Sequence, residues 1–335
     1  MVSKITVLGD GAWGTACAYL LANNGYPITL WCYNKEVAEA IKQTRYNTQY
    51  LPHVALPSSI TPVTNLEEAL AQAAWIFEAI PVKFLRSIVS HCKSHVTKEQ
   101  PWVILSKGIE NDTLLLPSEV VIDSLGFAVP YVVLSGPSFA RDLVHQQPTG
   151  VVLASHSLML TQQLAVLLHN NYFTSIISND VYGVQLCGAL KNCVALAIGI
   201  LDGAGYSDNT KALAATQGLQ EIARIVEQLS GTKDTVYGLA GIGDLILTAF
   251  GSQSRNLMLG RQFGQGTSIE DIVLSMKQMP ESIHTVKSVY QLIEKLSLSL
   301  PLFTTLYKIL FQNTPKEALI PVLIQNKKAP SQGSF

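Results

Sequence analysis

The sequence predicts an α/β fold, with an open, doubly wound parallel sheet in the first half and an all-α domain after it. Residues 5–8, 28–31, 75–80, 102–106 and 131–135 are short, continuous apolar runs, as expected of parallel strands buried on both faces. Helical stretches separate these runs, and that alternation puts helices on both faces of one sheet. From about Asp180 onward, helical periodicities follow one another without a convincing strand.

Weaker strand signals lie at 151–154 and 175–178. Helices are expected at 15–23, from about Val181, at 209–230 with Gly231 as its stop, and at 282–296, ending before Pro301. Thr314-Pro315-Lys316-Glu317 predicts a last helix with threonine as cap, proline at the first position and glutamate at the third. A boundary near residue 185, inside a long helix, gives domains 1–185 and 186–335. The tail 326–335 reads as mobile.

At 335 residues the chain exceeds one ordinary core. Its 48% hydrophobic and 14% charged residues describe a core-rich globular protein. A net charge of −1 without a lysine/arginine block argues against nucleic acid or an anionic membrane surface as ligand. Residues 143–179 lack Asp, Glu, Lys and Arg, yet Gln146, Gln147, Pro148, His156 and His169 interrupt them, so no membrane span is expected there. The N-terminus enters a strand directly, and the five cysteines are scattered without a CxxC. Reduced core thiols in a cytoplasmic protein, with no metal site, are the expectation.

Gly9-Asp10-Gly11-Ala12-Trp13-Gly14 is a G-x-G-x-x-G placed after a strand and before a helix, with Gly25 and a second strand following. In that context it is the fingerprint of a Rossmann dinucleotide site. Gly9 permits the tight turn, Gly11 lets the backbone approach a pyrophosphate, and Gly14 lets helix and strand pack closely, while N–H groups at the helix start hold the phosphates. The second strand ends in Tyr33-Asn34-Lys35, where an NAD-selective site carries an acid for the ribose 2′-hydroxyl. Without that acid a 2′-phosphate meets no repulsion, so NADP is expected to be accepted, with NAD left open.

Three further segments carry polar groups. Ser106-Lys107-Gly108-Ile109-Glu110 closes a buried strand, where open α/β sheets place ligands. Ser135-Gly136-Pro137-Ser138-Phe139-Ala140 forms a strand-to-helix turn. Lys191 stands on an apolar helix with Cys187, Gly188, Val194 and Ala195 at helical spacing. Lysines on such helices usually reach to water, but burial there, together with Lys107, would lower the pKa and suit a general acid/base. Asp244, after a glycine-rich turn, is either a helix cap or part of a site. Arg255 between Ser254 and Asn256 reads as a phosphate clamp at a helix start, against the plainer reading of a surface arginine.

Together these segments resemble the NAD(P)-dependent glycerol-3-phosphate dehydrogenases of bacteria. The motifs are GDGAWGTA at 9–16, NxxYLP at 47–52, SKGIE at 106–110, SGPSFA at 135–140, GVQLCGALKN at 183–192, GLAGIGDL at 238–245 and SQSRN at 252–256. The resemblance implies reduction of dihydroxyacetone phosphate to sn-glycerol 3-phosphate, a phospholipid precursor, by a cytoplasmic homodimer. It makes Lys191 the catalytic proton donor/acceptor, with Lys107, Gly136, Ser138, Lys191, Asp244, Ser254, Arg255 and Asn256 on the substrate. Asp244 would charge-balance Lys191, and Thr248 would support it. Gly9, Gly11, Ala12, Trp13, Gly14, Tyr33, Tyr50, Lys107, Ala140, Arg255, Met279 and Glu281 would line the cofactor, NADP or NAD. The chain departs from the family pattern at Tyr33, where His or Arg is common, at Glu78, where an apolar residue is commoner, and at Met279-Pro280-Glu281. Two other readings remain: a two-domain hydroxyacid or ketopantoate-type dehydrogenase, and a non-catalytic NADPH-binding sensor, which leaves Lys191 without a purpose.

Overall fold

A computed structural model of the chain describes residues 4–276 and 280–324, so Met279 and the tail 326–335 lie outside the described residues. The strands are β1 (Ile5–Leu8), β2 (Ile28–Trp31), β3 (Tyr46–Asn47), β4 (Leu51–Ala55), β5 (Ile60–Val63), β6 (Trp75–Glu78), β7 (Trp102–Ile104), β8 (Tyr131–Ser135), β9 (Thr149–Ala154) and β10 (Phe173–Ser178). Helices of the first half are α1 (Ala12–Asn23), α2 (Lys35–Thr44), α3 (Leu66–Leu70), α4 (Val82–Cys92), α5 (Pro117–Leu125), α6 (Ala140–Val144) and α7 (Leu158–Leu168). The second half holds α8 (Val181–Gly203), α9 (Asp208–Gln228), α10 (Lys233–Val236), a π-helical turn Leu239–Gly243, α11 (Asp244–Phe250), α12 (Arg255–Gly264) and α13 (Ile269–Ser275). It continues with α14 (Ser282–Leu296), α15 (Pro301–Phe311), a 3₁₀ turn Lys316–Ala318 and α16 (Leu319–Ile324). No strand falls in this half among the described residues.

Eight strands form one sheet in the order β10-β9-β8-β7-β6-β1-β2-β5. β1 sits between β2 and β6, parallel to both, so its C-terminal end opens at the switch point where such sheets bind ligands. The sheet is not wholly parallel as expected. β9 runs antiparallel to β8, with Ser135 opposite Val152, and β10 follows β9 in parallel. The connection 136–148 carries only the short α6 and stays at one end of the sheet, whereas a parallel neighbour needs a full crossover.

Other differences from the sequence reading have local causes. β5 was not expected; it contains Pro62, which is tolerated because β5 is the edge strand, where a missing N–H costs little. The hairpin β3–β4 was also missed. α1 starts at Ala12 rather than residue 15 because Gly11 is its cap, so the glycine motif supplies the first helical turn. The helix at 282–296 ends before Pro301 as expected, but α15 was not expected: Pro301 opens it at a position where proline fits, and the buried Glu221 accepts from Leu302 N at 2.9 Å and Phe303 N at 3.1 Å to cap it. At the last turn Pro315 flanks a 3₁₀ segment without a side-chain cap, so Thr314 does not cap a helix there.

α8 is long and apolar enough to cross a membrane, yet its whole apolar window is buried inside the protein, where it serves as the core helix of the second half. Asp180 caps it, accepting from Gly183 N at 2.8 Å and from Thr232 N at 2.8 Å. α12 lies directly on α8: a Cβ on Gly199 would stand 2.4 Å from the Leu257 carbonyl oxygen. That close approach sets Asn256 against Asn192, beside Lys191.

Candidate active site

The phosphate end of the site follows from the glycine turn. Gly9 has φ +124°, open to glycine, and a Cβ there would stand 2.6 Å from the Ala79 carbonyl oxygen. A Cβ on Gly14 would stand 2.1 Å from the Gly9 carbonyl oxygen, so strand, turn and helix have room for nothing larger. α1 begins without a side-chain cap or an acidic residue in its first turn, which leaves its amides and dipole for an anion. Asn47, fully buried, donates to the Asp10 carbonyl oxygen and to Thr15 Oγ1, each at 2.8 Å, and fixes the turn's shape. The described residues therefore fit a dinucleotide.

At the end of β2 no acid follows Trp31. Tyr33 is 76% exposed and stands edge-on to the Trp31 ring, while Asn34 caps α2 by accepting from Glu36 N at 2.8 Å. An acid from the glycine turn reaches this place: Asp10 Oδ2 accepts from Asn34 N at 3.2 Å, and burial raises its pKa against its backbone donors. Trp13 and Tyr50 are half-buried on the same side, Tyr50 N donating to Asn47 Oδ1 at 3.0 Å.

The second group converges across the two halves of the chain. Lys191 is 6% exposed, and its ammonium donates to Asp244 Oδ1 and, at 2.7 Å, to Thr248 Oγ1. Lys107 donates from the opposite side to Asp244 Oδ2 at 2.6 Å. One fully buried carboxylate thus lies between two ammonium groups. Burial pulls the Lys191 pKa down to about 7; Lys107 adds to the shift and Asp244 opposes it. Burial alone would raise Asp244, but the two lysines override it and hold its carboxyl below the usual range. Gly188 brings α8 against this array, for a Cβ there would meet Ser135 Oγ at 2.9 Å and the Lys107 stem at 3.5 Å.

α12 contributes the remaining polar groups. Arg255 is exposed at its first position, and the Ser254 hydroxyl caps it by accepting from Leu257 N at 3.2 Å. Asn256 Nδ2 donates to Asn192 Oδ1 at 3.0 Å, but Asn256 Oδ1 is buried without a partner among the described residues. Ser135 Oγ is orphaned in the same way. Two unfilled buried groups beside paired ammoniums suit a small ligand with hydroxyl and anionic groups. Glu281 feels Arg255, Lys107 and Lys191, yet burial outweighs them and lifts its carboxyl to about 7. Ser138 Oγ donates to the Gly136 carbonyl oxygen at 3.0 Å, and Ala140 starts α6, half-buried.

The fold thus gathers Lys107, Lys191, Asp244 and Thr248 directly, with Arg255, Asn256 and Glu281 around them. Gly9, Gly11, Ala12, Gly14, Tyr33 and Tyr50 form a separate group around the glycine turn. Ser135 and Asn192 lie within segments the sequence singled out but were given no site role, because a serine at a strand end and an asparagine on a helix carry no signal of their own.

Comparison with known proteins agrees over nearly the whole chain. The family model described as the N-terminus of NAD-dependent glycerol-3-phosphate dehydrogenase matches residues 4–161, and that described as its C-terminus matches 180–321. Glycerol-3-phosphate dehydrogenase [NAD(P)+] of Bacillus pumilus is 40% identical over 331 residues, 98% of this chain and 95% of its own. The crystal structure of glycerol-3-phosphate dehydrogenase from Coxiella burnetii superposes with a TM-score of 0.93 at 31% identity, covering 97% of this chain and 99% of that one. A ketopantoate reductase from Ralstonia eutropha reaches 0.62 at 15% identity, covering 92% of this chain and 97% of that one, a likeness of fold alone. The chain belongs to the NAD-dependent glycerol-3-phosphate dehydrogenase family.

Proposed function

We propose that the chain is an oxidoreductase that reduces dihydroxyacetone phosphate to sn-glycerol 3-phosphate, reversibly, with NAD(P)H. The buried array of Lys191, Lys107, Asp244 and Thr248 carries this reading. When bound, the nicotinamide supplies hydride to the carbonyl carbon. The charged Lys191 gives its proton to the carbonyl oxygen, and the neutral amine takes it back in the oxidative direction. Asp244 and Thr248 hold the Lys191 ammonium by hydrogen bonds, and Lys107 flanks the same oxygen. Arg255, with Ser254 and Asn256 at the start of α12, holds the substrate phosphate, assisted by the helix N-terminus.

We further place the nucleotide domain at 1–185 and the substrate domain at 186–335. Among the described residues one buried apolar cluster runs from Leu186 to Leu323 and takes from the first half Ile109 and Leu116, with Leu114 packed against it, which supports that division. We assign the chain to the cytoplasm as a homodimer. Five unpaired, buried cysteines support the first, and exposed Ile176 and Ile177 on the edge strand β10 offer apolar surface for the second.

The deciding experiment assays purified protein with dihydroxyacetone phosphate against NADPH and NADH in parallel. Turnover is expected with NADPH; turnover of a 2-oxo acid or ketopantoate but not of dihydroxyacetone phosphate would overturn the assignment.

The Lys191 value of about 7 predicts opposite pH limbs for the two directions. Reduction needs the ammonium, so its kcat/KM falls as pH rises through about 7. Oxidation needs the free amine, so its kcat/KM rises over the same interval. Parallel limbs in initial-rate profiles would remove Lys191 as the proton carrier.

Arg255→Ala is expected to raise KM for dihydroxyacetone phosphate by about tenfold or more, with a smaller effect on kcat, since charge-assisted contacts to phosphate act in ground and transition states alike. An unchanged KM would take Arg255 out of the clamp.

A further inference from the structure

Glu78 ends β6 with its side chain fully buried, and none of the steps above uses it. Its Oε1 accepts from Leu105 N at 3.1 Å, Ser106 N at 3.1 Å and Ser106 Oγ at 2.7 Å, and its Oε2 accepts from Ile80 N at 3.3 Å. Burial lifts the carboxyl to about 8 against these four donors. A buried acid held by hydrogen bonds alone carries a desolvation cost that an apolar residue would avoid. Trp75, Ile76 and Phe77, the rest of this strand, are all apolar and buried.

The position explains what the carboxyl does. On one side Ala79 backs the dinucleotide turn, 2.6 Å from where a Gly9 Cβ would lie. On the other, Ser106 immediately precedes Lys107, whose ammonium is 2.6 Å from Asp244 Oδ2. Leu105 N also bonds the Glu78 carbonyl oxygen at 3.1 Å, so strand pairing holds it in any case. Beyond the lysine, Ser288 Oγ donates to the Ile109 carbonyl oxygen at 2.8 Å and Arg86 pairs with Glu110 at 2.7 Å, so the far end of the loop has its own anchors. The Ser106–Lys107 peptide lies between those anchors, and the Glu78 carboxyl takes up both the amide and the hydroxyl of Ser106.

We infer that Glu78 is a positioning residue: it ties the Ser106–Lys107 turn to the strand backing the dinucleotide turn and so sets where the Lys107 ammonium stands. This rests on the proposed role of Lys107 at the substrate. Lysine has a long, flexible stem, so its backbone origin must be fixed for its head to sit reproducibly between Asp244 and substrate. A misplacement of about 1 Å can cost about 10²-fold in rate.

The test compares wild type, Glu78→Val and Glu78→Gln by melting temperature, NADPH affinity and steady-state kinetics. Glu78→Val is expected to melt at or above the wild-type temperature, to bind NADPH within about threefold, and to raise KM for dihydroxyacetone phosphate about tenfold with a smaller fall in kcat. Glu78→Gln keeps an acceptor for the three bonds at Oε1 and is expected to restore most of that loss. Val-variant kinetics within about twofold of wild type would overturn the inference, as would a Gln variant no better than Val. If Glu78→Val does not fold, Ser106→Ala decides. It removes the 2.7 Å hydroxyl bond to Oε1 and is expected to raise the same KM by a few fold at unchanged NADPH affinity; a KM within about 1.5-fold of wild type overturns the inference. Wild-type turnover of dihydroxyacetone phosphate separately checks the proposed function, so the two failures are distinguishable.

Discussion

Lys191→Met is expected to lower kcat for reduction of dihydroxyacetone phosphate at least about a hundredfold, the lower bound of what a positioned proton donor contributes. The substitution suits the site. Methionine is apolar and unbranched, and Lys191 sits on a helix face built from Cys187, Gly188, Val194 and Ala195, all fully or almost fully buried. Removing the ammonium also removes a buried charge, while Asp244 keeps Lys107 as partner at 2.6 Å. The fold should therefore survive, and NADPH affinity should change little, because the glycine turn is untouched. Kinetics at saturating substrate and cofactor, with NADPH binding measured on the same sample, separate the two effects. A kcat within about threefold of wild type would refute general acid catalysis by this residue.

Asp244→Asn is expected to damage both activity and stability. Among the described residues its carboxylate is the one acid bonded to both ammoniums, so asparagine leaves Lys107 and Lys191 without their shared ion-pair partner. Breaking a buried pair by removing one partner typically costs about 3–5 kcal/mol, which a lowered melting temperature would register. The effect on chemistry has a definite sign. Asp244 raises the Lys191 pKa while burial and Lys107 lower it, so losing Asp244 moves it further down. The falling limb of the reductive pH profile then moves to lower pH, and above that limb the protonated fraction falls in direct proportion to the lost proton affinity. Adding Lys107→Met to Asp244→Asn removes the like charge and is expected to recover part of the lost stability and to move the limb back up, though not the activity that Lys107 itself supports. A limb that stays near 7 in Asp244→Asn would show that this carboxylate does not set the proton affinity of Lys191.

Much of the fold was legible because its signals are local. Continuous β-branched runs marked β1, β2, β6, β7 and β8, and the glycine spacing marked the turn into α1. Features that failed to register depend on neighbours distant in sequence. β5 contains Pro62 and fits the sheet only as an edge strand, which the strand order alone reveals, and α15 has its cap in the buried Glu221, 81 residues from Leu302. The antiparallel turn of β9 follows from a connection that remains at one end of the sheet, which periodicity does not encode.

The candidate site divides along the same line. Sequence by itself determined the residue types and their order: the glycine turn without an NAD-selecting acid, lysines at 107 and 191, an aspartate at 244 and an arginine between Ser254 and Asn256. Only the tertiary structure decided that Asp244 would lie between two ammoniums supplied from 137 and 53 residues away, and that the Glu78 carboxyl would hold the amide and hydroxyl of Ser106, the residue before Lys107. The reason is physical. A charge pattern along a chain carries no information about desolvation or contact distance, and these two quantities set the proton affinity of Lys191.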